Sequence, residues 1–380
     1  MFVFEALKAR FGDALLVHWG TANDPKLAII DGGPPGVFTQ TLQPRLTELA
    51  NGKVLPIALM MVSHLDADHI TGLIELIRNM RDIKDDNTDP VPWSIDRFWI
   101  NTFNDLLNDN EVPASVSSAG VASLGEVSLG ADAIERETKA VIATVPQGRT
   151  LRDLLKPLQL NGNKPLKGLV MVDEKSKPVT IEGLELTVVG PKKEQLDALQ
   201  KDWDKKIKPL LKKGKPAETE VAEYLDKSVY NLSSIVVYVQ YKGKSILLTG
   251  DARGDYTLEG MKTAGLLKKD PLHVNILKLP HHGSDRDVEP DYFRQITADH
   301  YVISADGTYD NPDVPTLQML SEARKDDKFT IHLTNPLKEF AKAQPASAIE
   351  KFLKKEKDAG RKYKVEQRDT NAQSIRIVLA

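Results

Sequence analysis

Apolar runs, each closed by turn residues, recur along the chain: FVFEAL (2–7), ALLVHW (14–19), KLAIIDGG (26–33), IALMMVSH (57–64), RFWIN (97–101), LELTVVG (184–190), SSIVVYVQY (233–241), KSILLTGD (244–251), HVNILKLPHHG (273–283), HYVISADG (300–307), FTIHLT (329–334) and SIRIVL (374–379). Their length and their β-branched and aromatic content predict strands. Lys242-Gly243, between the runs ending at 241 and starting at 244, predicts a tight hairpin. Helical spacing of apolar residues appears between other runs, as in DHITGLIELIRNM (68–80) and PTLQMLSEARK (315–325). Hairpins mixed with strand–helix units predict an α/β fold with mixed sheets. No internal repeat of short fixed period is present.

Two stretches break this rhythm. Residues 82–170 carry Asn-, Asp-, Ser- and Gly-rich loops around Trp93 and Trp99, then a predicted helix over 132–143, and read as an insertion or an elaborated face. Residues 192–227 form a charged helical region broken at Pro209 and Pro216. Acids interleave with its lysines, so a solvated face is expected there before a nucleic-acid contact.

Composition narrows the picture. A chain of 380 residues, 41% hydrophobic, can bury a substantial core, and we expect one domain over 1–380 carrying the insertion. The formal charge of −3 gives no global basic field. The absence of cysteine excludes disulfides, thiolate metal sites and thiol nucleophiles, so any metal must take His, Asp or Glu. The N-terminal MFVFEALKARFGDALLVHWG reads as two strands around Gly12 and Asp13, interrupted by Glu5, and not as a signal peptide. No apolar run is long enough to span a membrane, and a cytoplasmic location is expected.

The chemistry gathers where apolar strands end. LAIIDGG delivers Asp31; IALMMVSHLDADH delivers His64, Asp66, Asp68 and His69; SILLTGD delivers Asp251; VNILKLPHHGS delivers His281 and His282. Ligand sites of α/β sheets collect beyond the carboxyl ends of strands, so distant loops can converge. Imidazole and carboxylate are ligands for zinc, manganese and iron. Asp68 alone reads equally well as the N-cap of a helix starting near His69 or Ile70, and His64 as a half-buried structural imidazole. Four such clusters at strand ends favour a metal site.

SHLDADH, LLTGD and LPHHGS, in this order, resemble the metallo-β-lactamase superfamily, and in particular its ComEC-like, competence-protein variant, over about residues 1–80 and 228–335. The resemblance implies a four-layer αββα sandwich with an active site at one edge. It implies that Asp31 orients the ligand loop from behind, that His64 and Asp66 serve one metal position, and that Asp68 and His69 serve a second. Asp251 would bridge them or bind the second. The late histidine ligand comes from the His281–His282 pair; the sequence does not choose, and we take His281 as ligand, with His282 contacting substrate or donating a proton. One or two divalent ions, zinc or manganese, are implied.

Two departures stand out. The superfamily usually supplies a further histidine after the second motif, but none lies between His69 and His273. YNLSSIVV stands there, with Asn231, Ser233 and Ser234 as weaker replacements, so the His64–Asp66 position is expected to be the poorer. The Y-x-H-P run of ComEC-type relatives is here YDNPD, with Asn311 before Pro312. Ser233, Ser234, Ser284, Ser304, Asp306 and Asn311 remain candidate rim residues.

A bound divalent ion brings the pKa of water down to about 7 and polarises a scissile bond. A metal-dependent hydrolase using metal-bound hydroxide is therefore expected, with Asp68 and His282 as catalytic residues. A phosphodiester of a nucleotide or nucleic acid is the first substrate class, by resemblance; small esters, lactones and thioesters stay open, as does a non-catalytic metal-binding scaffold for a protein partner. Serine catalysis through Ser63 or Ser284 lacks a Gly-x-Ser-x-Gly elbow.

Overall fold

A computed structural model describes residues 1–86, 90–101, 148, 150–160, 162–206, 233–269 and 271–380. One sheet has six strands: β1 (Phe2–Leu7), β2 (Leu15–Gly20), β3 (Pro25–Ile30), β5 (Leu59–Met61), β7 (Phe98–Trp99) and β16 (Ser374–Val378), in the order β16-β1-β2-β3-β5-β7. The other has eight: β8 (Val179–Ile181), β9 (Leu184–Gly190), β10 (Val236–Tyr241), β11 (Lys244–Leu248), β12 (Leu272–Lys278), β13 (Ile296–Ile303), β14 (Thr330–Leu333) and β15 (Lys364–Gln367), in the order β15-β14-β13-β12-β11-β10-β9-β8. A small parallel pair joins β4 (Leu55–Ile57) to β6 (Trp93–Ile95). The expected hairpin closes between β10 and β11, where Tyr241 pairs with Lys244 across Lys242 (φ 48°) and Gly243 (φ 73°).

Continuous apolar strands are explained by burial on both faces. Successive side chains of a strand point to opposite sides. Phe4, Ala6, Val17, Ile30 and Met61 of the first sheet meet Val237, Ile246, Leu248 and Ile276 of the second in one core between the sheets. The opposite face of the first sheet, with Leu7, Leu16, Ile29 and Met60, packs on α1 (Gln43–Ala50) through Leu46 and on α2 (Ala67–Asp86) through Ile70, Leu73 and Ile77. The outer face of the second sheet, with Val236, Leu247, Leu277 and Tyr301, packs on α4 (Gly254–Thr263), α5 (Pro290–Gln295), α6 (Val314–Ala323) and α7 (Ala343–Asp358) through Met261, Phe293, Leu317 and Ile349. The layers are therefore helix, sheet, sheet, helix: the expected αββα sandwich.

The stretch 82–170 is only partly described. The described residues of its flanks bind each other: Asn101 Nδ2–H donates to the Val170 carbonyl (2.8 Å) and the Ile100 N–H donates to Asn163 Oδ1 (2.7 Å). Trp99, in β7, belongs to the six-stranded sheet itself. The helix expected over 132–143 lies outside the described residues. The charged region begins as α3 (Lys193–Lys206); its residues 207–227, with Pro209 and Pro216, also lie outside them. No helix among the described residues is long and apolar enough to cross a membrane.

Parallel pairing positions the site. β3 pairs parallel with β5, and β11 parallel with β12, so the carboxyl ends of each pair lie side by side. The first pair ends in Asp31 and in the 63–69 loop; the second ends in Asp251 and in His281–His282. The Ile235 N–H donates to the Ser63 carbonyl (2.8 Å), joining the two sheets, and the His281 N–H donates to the Gly250 carbonyl (3.1 Å), joining the turns after β11 and β12 within the second sheet.

Candidate metal centre

The site is built outward from Asp31. This residue closes β3 in the left-handed region (φ 61°), a conformation that Asp tolerates better than most side chains. Its Oδ1 accepts the Ser63 N–H (2.7 Å), and its Oδ2 accepts the Ser63 hydroxyl (2.5 Å) and lies 2.9 Å from His69 Nδ1. Helix α2 is locked against the same turn: the Gly32 N–H donates to the His69 carbonyl (2.7 Å) and the Gly72 N–H to Gly33 (3.0 Å). A Cβ on Gly72 would sit 1.9 Å from the Gly32 carbonyl oxygen, so only glycine permits the approach.

Helix α2 starts at Ala67, ahead of the start expected near His69 or Ile70. Asp68 is consequently not its N-cap. Asp68 and His69 stand in the first turn, where the carboxylate also benefits from the helix dipole.

The two ring nitrogens of each key histidine are distinguished by their partners. A carboxylate or a carbonyl only accepts, so a proton at Nδ1 of His69 faces Asp31, and a proton at Nδ1 of His282 faces the Ser304 carbonyl (2.8 Å). Both Nε2 atoms then turn toward the remaining acids. His69 Nε2 lies 3.2 Å from Asp251 Oδ1 and 4.0 Å from Asp68 Oδ1; His282 Nε2 lies 3.2 Å from Asp68 Oδ2 and 3.7 Å from Asp251 Oδ1. Ligand atoms of Asp68, His69 and His282 all fall within 4.8 Å of one another. His69 Nε2, His282 Nε2 and Asp251 Oδ1 are buried, and none of them makes a well-formed hydrogen bond among the described residues.

The charges are mutually dependent. Burial alone would raise the carboxyl of Asp251, but His69, His282 and His281 hold it well below the usual carboxylate range. Burial likewise opposes ionisation of Asp68, and His69 and His282 outweigh it and lower its pKa. Burial would lower His69, yet Asp251, Asp68 and Asp31 hold it well above the usual histidine range. Such acids demand positive charge at the Nε2 atoms, as protons or as a cation.

His64 and Asp66 stand beside this group. Their Nε2 and Oδ2 are 3.2 Å apart, and His64 Nδ1 is 3.1 Å from the Ser234 hydroxyl. Ser234 thus meets His64 in the segment where a histidine was missing. Burial would depress His64, but Asp66 and Asp251 raise it overall. Ser233 is buried nearby in the chain, and Asn231 lies outside the described residues.

The structure separates the two adjacent histidines, both in the left-handed region (φ 45° and 55°). His282 is buried and belongs to the group above. His281 is about a third exposed; its Nδ1 pairs closely with Asp287, and its Nε2 is 3.8 Å from Asp251 Oδ2. Burial pulls its pKa down, but Asp251 and Asp287 raise it to about 9. The remaining expected rim residues make local hydrogen bonds. Ser284 Oγ accepts the Arg286 N–H (3.4 Å), Asp306 Oδ1 accepts that of Thr308 (2.9 Å), and the carbonyl of the half-buried Asn311 accepts that of Gly307 (3.1 Å). The Ser63 hydroxyl donates to Asp31 and lies 3.5 Å from His69 Nδ1.

Sequence reasoning missed two residues of this centre. Asp13, taken as a turn residue, and Lys278, in the apolar run VNILKL, form a buried ion pair (2.5 Å). Ligand atoms of Asp13, Asp31 and His69 also lie within 4.8 Å of one another, but the Lys278 ammonium already occupies Asp13, and His69 offers Asp31 its protonated nitrogen. That second group is therefore no metal position. A lysine inside an apolar strand was the available signal.

No protein-family model matches the chain, and no curated protein matches it. Among solved structures it is similar to a point mutant of the CmlA beta-hydroxylase, at 12% identity and a TM-score of 0.37, with 99% of this chain and 54% of that one covered. This chain thus spans about half the length of that protein. It is also similar to the metallo-beta-lactamase fold protein YhfI from Bacillus subtilis, at 10% identity and a TM-score of 0.37, with 99% of each chain covered.

Proposed function

We propose that the chain is a metal-dependent hydrolase whose principal cation is held by Asp68, His69, Asp251 and His282. The observation that carries this reading is the convergence of His69 Nε2 (3.2 Å) and His282 Nε2 (3.7 Å) on Asp251 Oδ1, three buried atoms of which none makes a well-formed hydrogen bond among the described residues. Unpaired buried polar atoms are costly, and a donor set of two imidazoles and two carboxylates fits zinc or manganese. His64 and Asp66 offer a second, weaker position, since His64 is already engaged by Ser234. His282 takes the ligand role that the sequence reading gave to His281.

A divalent cation in this centre would supply a Lewis acid and an activated water. The chain supplies orientation and proton handling. Asp31 and Ser304 fix the two imidazoles. Asp68 can accept a hydrogen bond from the attacking water. His281, reachable from solvent, is held above the usual histidine range by Asp251 and Asp287 against the effect of burial. It is placed to stabilise developing negative charge or to protonate a leaving oxygen.

We take the substrate to be a phosphodiester, following the ComEC-like resemblance of SHLDADH, LLTGD and LPHHGS. A rim feature supports it: Phe11 and Tyr309 meet edge to face (5.2 Å between centroids), and the Arg10 guanidinium lies 5.4 Å from the Phe11 centroid. Arg10, whose guanidinium also donates to the Pro35 carbonyl, Phe11 and Tyr309 belong to the loops that carry Asp13 and Ser304, and bring a cation and aromatic rings beside them. The test is hydrolysis of bis-p-nitrophenyl phosphate with added manganese, against an Asp68→Ala/His69→Ala variant. A metal-dependent rate lost in the variant is expected. No such rate across phosphodiesters and esters would overturn the reading; a rate on esters alone would overturn the substrate class.

A further inference from the structure

Asp13 and Lys278 form an ion pair that the proposed reaction does not use. Both side chains are essentially inaccessible, and the ammonium also donates to the Leu279 carbonyl (3.0 Å). Burying two charges is expensive, and an apolar pair of similar volume packs as well or better. The location suggests what the charges do. Asp13 Oδ1 lies 3.7 Å from His282 Nδ1, and its Oδ2 lies 4.0 Å from His69 Nδ1. Its backbone N–H donates to the Asp68 carbonyl (3.1 Å). The Thr249 hydroxyl, two residues before Asp251, donates to the Lys278 carbonyl (2.7 Å). One buried pair therefore lies against the supports of all four proposed ligands.

We infer that the Asp13–Lys278 ion pair is a positioning unit beneath the metal centre. The Asp13 carboxylate, held in the interior by Lys278, places negative charge behind both imidazoles. It favours the tautomers with Nδ1–H directed inward and the Nε2 lone pairs directed at the cation, and it makes those lone pairs better donors. Lys278 keeps Asp13 from binding a cation itself. This inference rests on the metal-centre reading above.

The test compares cobalt(II) affinity, the cobalt absorption spectrum and thermal stability in the wild-type chain, Asp13→Asn, Lys278→Met and the Asp13→Asn/Lys278→Met double variant. Lys278→Met strands a buried carboxylate and should lose the most stability. The double variant removes both charges and should recover much of that loss. A merely structural pair would recover metal binding too. The positioning role requires that Asp13→Asn and the double variant both bind cobalt at least tenfold more weakly, with an altered spectrum. Wild-type affinity and spectrum in a stable double variant would overturn the inference while leaving the metal centre intact. Should the double variant not fold, wild-type affinity in Asp13→Asn has the same force. Failure of the wild-type chain to bind cobalt would overturn the metal centre, and this inference with it.

Discussion

Nδ1 of His69 lies 2.9 Å from Oδ2 of Asp31, and this contact decides which edge of the imidazole the site receives. The same carboxylate holds Ser63 through two further hydrogen bonds, so the loop and the ligand ring are set by one side chain. Asp31→Asn retains the shape and tolerates the left-handed backbone, but its amide cannot accept at both positions. Metal affinity should fall about 10- to 100-fold with the fold retained. Competition of the purified protein with a chromogenic zinc chelator, alongside a far-UV spectrum, measures both.

Metal binding should also appear as stability. A ligand present at about 100 times its Kd stabilises the native state by about 2.7 kcal/mol. Zinc or manganese added to chelator-treated protein should therefore raise the melting temperature by a few degrees. Asp68→Ala/His69→Ala should melt at one temperature with or without the ion. Equal responses of both proteins in scanning calorimetry would place the cation elsewhere.

Much of this was legible in the chain, for a physical reason. Strands buried on both faces are written as unbroken apolar runs, and β1, β9 and β11 stand where those runs stand. The polar residues Asp31, Asp251 and His282, which follow β3, β11 and β12, are visible because each ends an apolar run. β15, Lys364–Gln367, was missed: it is a largely exposed edge strand whose one apolar residue, Val365, is flanked by Lys364, Glu366 and Gln367, and such charges protect the edge from further pairing. The start of β13 was missed because Thr297 and Asp299 interrupt its apolar pattern. Asp13 and Lys278 were hidden differently. Each reads as ordinary in its own segment, and only the sandwich brings them together. The tautomers that separate His282 from His281 depend on Ser304 and Asp287, partners the local motif does not specify.

Glu5 gives an acid-stability prediction away from the centre. It is fully buried on the outward face of β1, bound by Arg45 Nε (2.9 Å), His18 Nε2 (2.9 Å) and the Ser374 hydroxyl (2.6 Å). Burial pushes its pKa up, but His18, Arg45 and Ser374 outweigh that and lower it to about 2. A depressed carboxyl stabilises the fold above its unfolded pKa near 4.5, and that contribution is lost as the pH falls toward 2. The shift corresponds to about 3 kcal/mol. Glu5→Gln should be less stable at pH 7 by an amount of that order, and its urea midpoint should fall less steeply between pH 5 and 3.

The His300–His332 pair predicts a second, separate pH response. His300 Nδ1 and His332 Nε2 lie 2.9 Å apart between β13 and β14, and His332 is buried. Burial, then the neighbouring His300, lowers the His332 pKa to about 4. The sign is that of a base kept neutral. Above its unfolded pKa near 6.5 both states are neutral and the fold has its full stability. As the pH falls from 6.5 to 4 the unfolded chain takes up a proton that the folded one refuses, and stability declines by up to about 3 kcal/mol. His332→Gln cannot titrate and should not show that decline. Urea unfolding of both proteins at pH 7.5 and 5 measures it as the difference between the two losses, since the other titrating groups are common to both. Parallel losses in the two proteins would show that the pair does not carry the effect.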